Sequence, residues 1–399
     1  MINIRSTDDE ITRFLLEIKH DAFSNAEVAA QLAKTLSSSG LTFCSRSQQT
    51  ADVASTGGPS SLSTLLCPLY LRAAGLLVPK LAVPGRPAGG VDCLAQISGY
   101  KTELTNEELH DVMDKNGYAH FLDAGRYAPL DARLFSLRKL HGALQVPTLV
   151  VASLLAKKIA VGVSRAGLDV RVAPHGNFGS SWTTAKENAN LFINAAQLCN
   201  IKAFPVLTDA RFPYQPYIGR SEALLALSEV FQGSNLTWLS EHVEQCKLLA
   251  MSAAPFSLHE KIANTGRSEL EARFFDNVKA QGGSIKSFKS EIAECRVLHT
   301  QQIAAEEDGF FTISLDRIRK ALIAFQARVE NKENLFPDPA GVILIKRPGE
   351  WVKKGQPLAT IRIADKQNKQ AIIQELRLGL CQTSSMPFGI SGEGVALDE

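Results

Sequence analysis

Fifteen residues constrain this chain more than any others: Thr50-Ala-Asp-Val-Ala-Ser-Thr-Gly-Gly-Pro-Ser-Ser-Leu-Ser-Thr64. A short entry runs into a Ser-Thr-Gly-Gly turn, and a helix is expected from Ser60 to about Ala74. Gly57 and Gly58 lack a Cβ, so the backbone can turn sharply there and approach a ligand closely. Pro59 suits the first turn of a helix, where its missing N–H costs nothing. The free N–H groups behind it point into the turn and attract an anion. The hydroxyls of Ser55, Thr56, Ser60, Ser61 and Ser63 add donors. A phosphate, or a group like it, is the natural guest. An ordinary Gly-rich turn from strand to helix is the other reading.

The flanking sequence sets the fold class. Residues 8–39 carry apolar side chains at helical spacing, among them Ile11, Phe14, Leu15 and Ile18. Short apolar runs at Val78–Val83, Tyr118–Leu122, Gly167–Val172 and Ala203–Leu207 read as strands. Helical patterns lie between them, at Val91–Ile97, Asp131–Gly142, Thr148–Ala160 and Thr183–Leu198, and continue at Ser221–Phe231 and Thr237–Ala250. That alternation predicts an α/β body. The tail changes to short β runs near Gly341, Trp351 and Leu358. A length of 399 residues suits two or three domains at ~150 residues each.

Composition narrows the class further. Hydrophobic residues make up 45% and charged residues 21%, as in soluble globular proteins. A net charge of +2 exerts no global pull on nucleic acid or membrane. No apolar run approaches the about 18 residues of a membrane span, and Met1–Glu10 is unlike a secretory signal. The seven cysteines are scattered, without a Cys-x-x-Cys pair, which argues against metal and disulfide roles. A reducing cytoplasm is the expected compartment.

A second constellation is Arg138, Ser153 and Lys157. Ser153 and Lys157 are four residues apart and share one helix face. Pro147 can start that helix and Gly162 can end it. The remaining positions are apolar, so the two polar side chains could present donors to a flat polar ligand. A solvated Lys157 beside Lys158 is the alternative.

These stretches together resemble the thymidine and pyrimidine nucleoside phosphorylases. The resemblance rests on Ser55-Thr-Gly-Gly58, on Leu137-Arg138 leading through Val146-Pro147 to Ala152-Ser-Leu-Leu-Ala-Lys-Lys158, on Leu168-Asp-Val-Arg-Val172, and on the tail Lys346–Leu358. The spacing 138→153→157, or 15 and 4 residues, is the one the family's pyrimidine-binding trio requires. The resemblance implies an α/β fold of the nucleoside phosphorylase/phosphoribosyltransferase type. A small helical domain would be split between 1–42 and 128–162. A larger α/β domain would comprise 43–127 and 163–334, and a C-terminal β-rich module 335–399. By resemblance, Arg138 and Lys157 hold the base carbonyl oxygens and carry the catalysis, Ser153 meets the ring nitrogen edge, and Phe178 packs against the base. The implied partners are a pyrimidine nucleoside and phosphate as co-substrate, with no cofactor, no metal, no nucleic acid and no membrane, in a cytoplasmic homodimer. The chemistry is self-consistent. A departing pyrimidine gathers negative charge on its carbonyl oxygens, and two cations aimed there stabilise the transition state most.

The chain also departs from that pattern. The family's phosphate site reads Lys-His-Ser-Thr-Gly-Gly, then Val-Gly-Asp-Lys. Here Val53 and Ala54 take the Lys and His positions, and Pro59-Ser-Ser replaces the rest. Pro84 and Val91 stand where a second loop carries Ser and Thr. Ser55 matches the first phosphate-binding serine; Ser63, or Thr64 without a gap, matches the second. The expected anion set is therefore Ser55, Thr56, Gly57, Gly58, Ser60 and Ser63. A lost Lys–phosphate contact forfeits roughly 1.5–3 kcal/mol. Arg86, or Arg46, flanks the loops and could restore the charge; bracing a loop is the alternative. A transferase or hydrolase with another acceptor, and a base-binding relative without turnover, stay open. His141 and His175 lie nearest the expected cleft in sequence and read as structural. Lys366 sits after a hairpin like that of biotinyl or lipoyl carriers, which reads as architecture.

Overall fold

The structure is a computed structural model that describes residues 2–20, 25–43, 49–55, 58–84, 87–123, 125–176 and 178–385, and the backbone of 395–396. Its centre is a parallel sheet. Ala51–Ser55 pairs with Arg165–Val172, which pairs with Lys202–Asp209. Val78–Ala82 and Tyr118–Leu122 form a second parallel pair. A parallel bridge between Thr50 and Leu77 joins the two sets. These strands are largely buried apolar runs because helices cover both faces. Val395–Ala396 adds an antiparallel edge to Lys202–Asp209.

The helical layer comprises Asp8–His20, Ala26–Ser37, Pro129–Leu140 and Pro147–Ala160, with Trp182–Leu198 packed beside it. Ile11, Leu15, Leu32, Leu36, Leu134, Leu149 and Leu155 fill its core. Asn25 caps the second helix by accepting from the N–H groups of Glu27 and Val28. Pro147 occupies the first turn of Pro147–Ala160, where its ring is tolerated.

The helix after the Gly-rich turn runs from Ser63 to Ala73, later than the expected start at Ser60. Other contacts explain the delay. The Leu62 N–H donates to His242 Nε2 at 2.8 Å, and Ser60 Oγ accepts from the Tyr214 N–H at 3.1 Å.

Ala340–Leu344 and Pro357–Ile363 share a sheet with Tyr217–Ile218 and Gln301–Ala304. Gly309–Ile313 pairs with Trp351–Val352 and Leu380–Thr383. Helices Leu315–Val329 and Lys369–Arg377 cover this region, so it is mixed α/β and draws on strands upstream of residue 335. Among the described residues, no helix is long and apolar enough to cross a membrane.

Candidate active site

In the central sheet, successive strands run outward in both directions from the pair Ala51–Ser55 and Arg165–Val172. The crevice beyond the carboxyl ends of strands at such a switch point is where open α/β sheets bind ligands. Ser55 and Asp169 face each other there in register.

A polar cluster fills this position. Ser63 Oγ donates to Asp169 Oδ2 at 2.8 Å, and Ser55 Oγ approaches the same oxygen at 3.3 Å. Arg171 donates to that oxygen from Nε (2.9 Å) and Nη2 (2.6 Å). Its Nη2 also lies 2.7 Å from Ser55 Oγ and 3.0 Å from Ser63 Oγ. The Arg171 side chain is buried. Burial opposes its charge, but Asp169 outweighs burial and raises the guanidinium above its usual range. Arg171 Nη1 has no hydrogen-bond partner among the described residues. Gly58 lies against it, and a Cβ there would come within 2.7 Å of Nη1. Tyr214 lies under the guanidinium at 5.9 Å and stacks on His242 at 5.1 Å.

One layer below, Asp52 carries two lysines. Lys80 Nζ lies 2.7 Å from Asp52 Oδ1 and 2.7 Å from the Val53 carbonyl, and Lys158 pairs with Asp52 Oδ2. Burial alone would raise the Asp52 pKa, but Lys158 and Lys80 pull it below the usual carboxylate value. Burial holds Lys158 below the usual lysine value. His120 is buried among these charges, and burial followed by Lys80 pushes its pKa well down, so it is neutral.

The second cluster lies on the helical layer. Lys157 pairs with Asp131, and Ser153 Oγ donates to the same carboxylate oxygen at 3.0 Å. Lys157 Nζ also meets the Ser153 carbonyl at 2.8 Å and hydroxyl at 3.0 Å. The Arg138 guanidinium donates to the carbonyls of Ala143 (3.3 Å) and Leu144 (3.0 Å), at the end of its own helix. Ser153 and Lys157 are thus brought together, while Arg138 is held by neighbouring backbone.

Phe178 is fully buried in the core, edge-on to Phe192, where its ring packs protein. Ser60 braces the 214–215 segment rather than the turn. Thr56, Gly57, Arg46 and Arg86 lie outside the described residues. Asp131, Asp169, Arg171 and Lys80 were missed in sequence. A signal existed for Asp169 and Arg171: two opposite charges at i and i+2 share one face of an otherwise apolar strand.

Two other features stand apart. Glu222, Cys295 and His299 place potential ligand atoms within 4.8 Å of one another. Glu222, however, is neutralised by Arg362, whose Nε and Nη2 lie 2.5 and 3.0 Å from its oxygens. A cleft of about 460 Å³ is lined by Ser221, Glu291, Asp338 and Arg362 and contains none of the candidate residues.

Comparison with known proteins bears on these clusters. No family model matches the chain. It is 28% identical over 378 residues to a pyrimidine-nucleoside phosphorylase of Geobacillus stearothermophilus, covering 89% of this chain and 85% of that protein. It is 27% identical over 369 residues to a thymidine phosphorylase of Mycobacterium tuberculosis, covering 90% and 83%. At the level of family, this chain is homologous to the pyrimidine-nucleoside and thymidine phosphorylases. This similarity supports a pentosyl-transferring enzyme as the coarse class. A pyrimidine-nucleoside phosphorylase of Bacillus subtilis is 28% identical, covering 82% of this chain and 77% of its own. Among solved structures, anthranilate phosphoribosyltransferase from Saccharomyces cerevisiae aligns with a TM-score of 0.48 and 13% identity, covering 72% of this chain and 85% of that one.

Proposed function

We propose that this chain catalyses phosphorolysis of a pyrimidine nucleoside or deoxynucleoside, giving the free base and a pentose 1-phosphate. The supporting observation is how two consecutive lysines divide. Lys157 joins Ser153 and Asp131, while Lys158 reaches Asp52 on the strand that ends at Ser55. The end of one helix therefore connects the base cluster to the hydroxyl-rich turn. Arg138 and Lys157 would hold the base carbonyl oxygens, and Ser153 the ring nitrogen edge. Charge that develops on those oxygens as the glycosidic bond breaks would be met by two cations in a low-dielectric site. Phosphate in the turn would attack the anomeric carbon, and positioning supplies the rest of the rate. The reaction needs no cofactor, and the enzyme would work as a cytoplasmic homodimer assembled through the helical layer.

One observation favours a different acceptor. The donors of Ser55, Ser63 and Arg171 converge on the Asp169 carboxylate, while Val53 and Ala54 bring no charge. A related transferase or hydrolase using a hydroxyl or water fits that balance. Incubation with a panel of nucleosides, with and without phosphate, separates the two. Pentose 1-phosphate formed only with phosphate supports phosphorolysis. Free or differently substituted sugar at a phosphate-independent rate overturns it. Calorimetric binding of a base with no turnover under any acceptor would leave a binding protein.

A further inference from the structure

We propose that Arg171 holds the acceptor oxyanion, supplying from the neighbouring strand the positive charge that is absent at Val53. This rests on the phosphorolysis reading above, and it names the group that makes that chemistry workable without a lysine on the turn.

The guanidinium has two usable edges. Asp169 Oδ2 takes the edge formed by Nε and Nη2, at 2.9 and 2.6 Å. That contact fixes the plane of the group and leaves its other edge, Nη1 and Nη2, toward Ser55, Ser63 and Gly58. On this second edge Nη2 meets the hydroxyls of Ser55 and Ser63 at 2.7 and 3.0 Å. Nη1 meets nothing that accepts among the described residues. It instead faces Gly58, where only a residue without a Cβ fits.

A buried cationic N–H without an acceptor is costly, and native proteins keep few such groups. The nearby cation Lys80 is already satisfied by Asp52 and the Val53 carbonyl, and Lys158 is paired with Asp52. Of the side-chain nitrogens of these three residues, Arg171 Nη1 is the one buried with no acceptor at all among the described residues, beside two serine hydroxyls that can turn from Asp169 to a second acceptor. A planar fork flanked by hydroxyls matches a tetrahedral oxyanion. Asp169 is then a positioning residue. Its negative charge limits affinity, so it favours an anion that binds and departs over one that is trapped.

The test uses the 399-residue chain and inorganic phosphate. Arg171→Lys keeps a charge but loses the fork, and Arg171→Ala removes both. For Arg171→Lys we expect KM for phosphate to rise at least ~10-fold, while KM for the nucleoside stays within about twofold. For Arg171→Ala we expect phosphorolysis to fall sharply, with no saturation by phosphate, and added guanidinium to restore part of the rate. Thermal melts with and without phosphate cover the case in which Arg171→Ala folds poorly. Wild type should melt higher in phosphate, and Arg171→Lys should lose most of that rise. If both variants keep the wild-type KM for phosphate, or Arg171→Lys keeps the full thermal shift, the proposal fails while phosphorolysis stands. If phosphate neither shifts the wild-type melt nor affects its rate, both fall together.

Discussion

Asp131 and Lys157 form an ion pair buried between helices Pro129–Leu140 and Pro147–Ala160, with side chains only 4% and 10% exposed. Ser153 donates to the same carboxylate oxygen, so one acidic residue orders both polar members of the proposed base cluster on the second helix. The other oxygen, Asp131 Oδ1, is buried without a hydrogen-bond partner among the described residues. Removing one partner of a buried pair strands the other charge. Asp131→Asn should therefore lower the unfolding free energy by about 3–5 kcal/mol, and adding Lys157→Met should recover much of it. Urea denaturation of the two variants measures this. A double variant no more stable than Asp131→Asn would show that the pair is not what Asp131 contributes.

Transition-state binding of the base gives a kinetic prediction. Arg138→Ala and Lys157→Ala should each cut kcat/KM by ~10²-fold or more, with the far-UV circular dichroism spectrum retained. Arg138 donates to the carbonyls of Ala143 and Leu144, so Arg138→Ala also removes contacts within its own helix end. Arg138→Lys separates the two effects. Wild-type turnover of every accepted nucleoside by Arg138→Ala and Lys157→Ala would rule out the base site.

What was legible in sequence depended on how local its cause was. Strand Tyr118–Leu122 and helix Trp182–Leu198 follow from apolar periodicity, and they match within a residue. The late start of Ser63–Ala73 was not legible, because His242 and Tyr214, far along the chain, hold Leu62 and Ser60. Ser153 and Lys157 could be paired from their spacing, since four residues is one helical turn. Asp131 could not, because its link to Lys157 depends on how two helices pack. Arg171 was read only as part of a strand, so the missing turn charge was sought in adjacent loops rather than across the sheet.

His242 makes stability depend on pH. Its Nε2 accepts the Leu62 N–H, so its proton lies on Nδ1, toward Gln245 Oε1 at 2.9 Å. Burial, aided by Arg171 and opposed by Gln245 and Asp169, lowers its pKa from 6.5 to about 4. Between these values the unfolded chain binds a proton that the native state refuses, so stability rises with pH. The contribution is complete above the unfolded pKa and is lost as pH falls toward the folded one. It reaches about 3 kcal/mol in all, with about 2 kcal/mol lost by pH ~5. Urea midpoints at pH ~7 and ~5 should therefore fall more for wild type than for His242→Gln. Equal slopes in the two proteins would exclude His242 as the source.

The proposed dimer makes the final prediction. Leu16 and Leu140, on helices Asp8–His20 and Pro129–Leu140, are exposed, Leu140 by 75%. Val28 and Leu144 are also partly open to water in the same layer. Single exposed apolar residues need no explanation, but several on packed neighbouring helices suit a self-complementary interface. In such a twofold contact each substitution acts twice. Light scattering of wild type should report a dimer at micromolar concentration. Leu16→Glu or Leu140→Glu should shift it toward monomer without lowering helicity. A wild-type monomer at that concentration would end the proposal. A dimer indifferent to both substitutions would move the interface off this face.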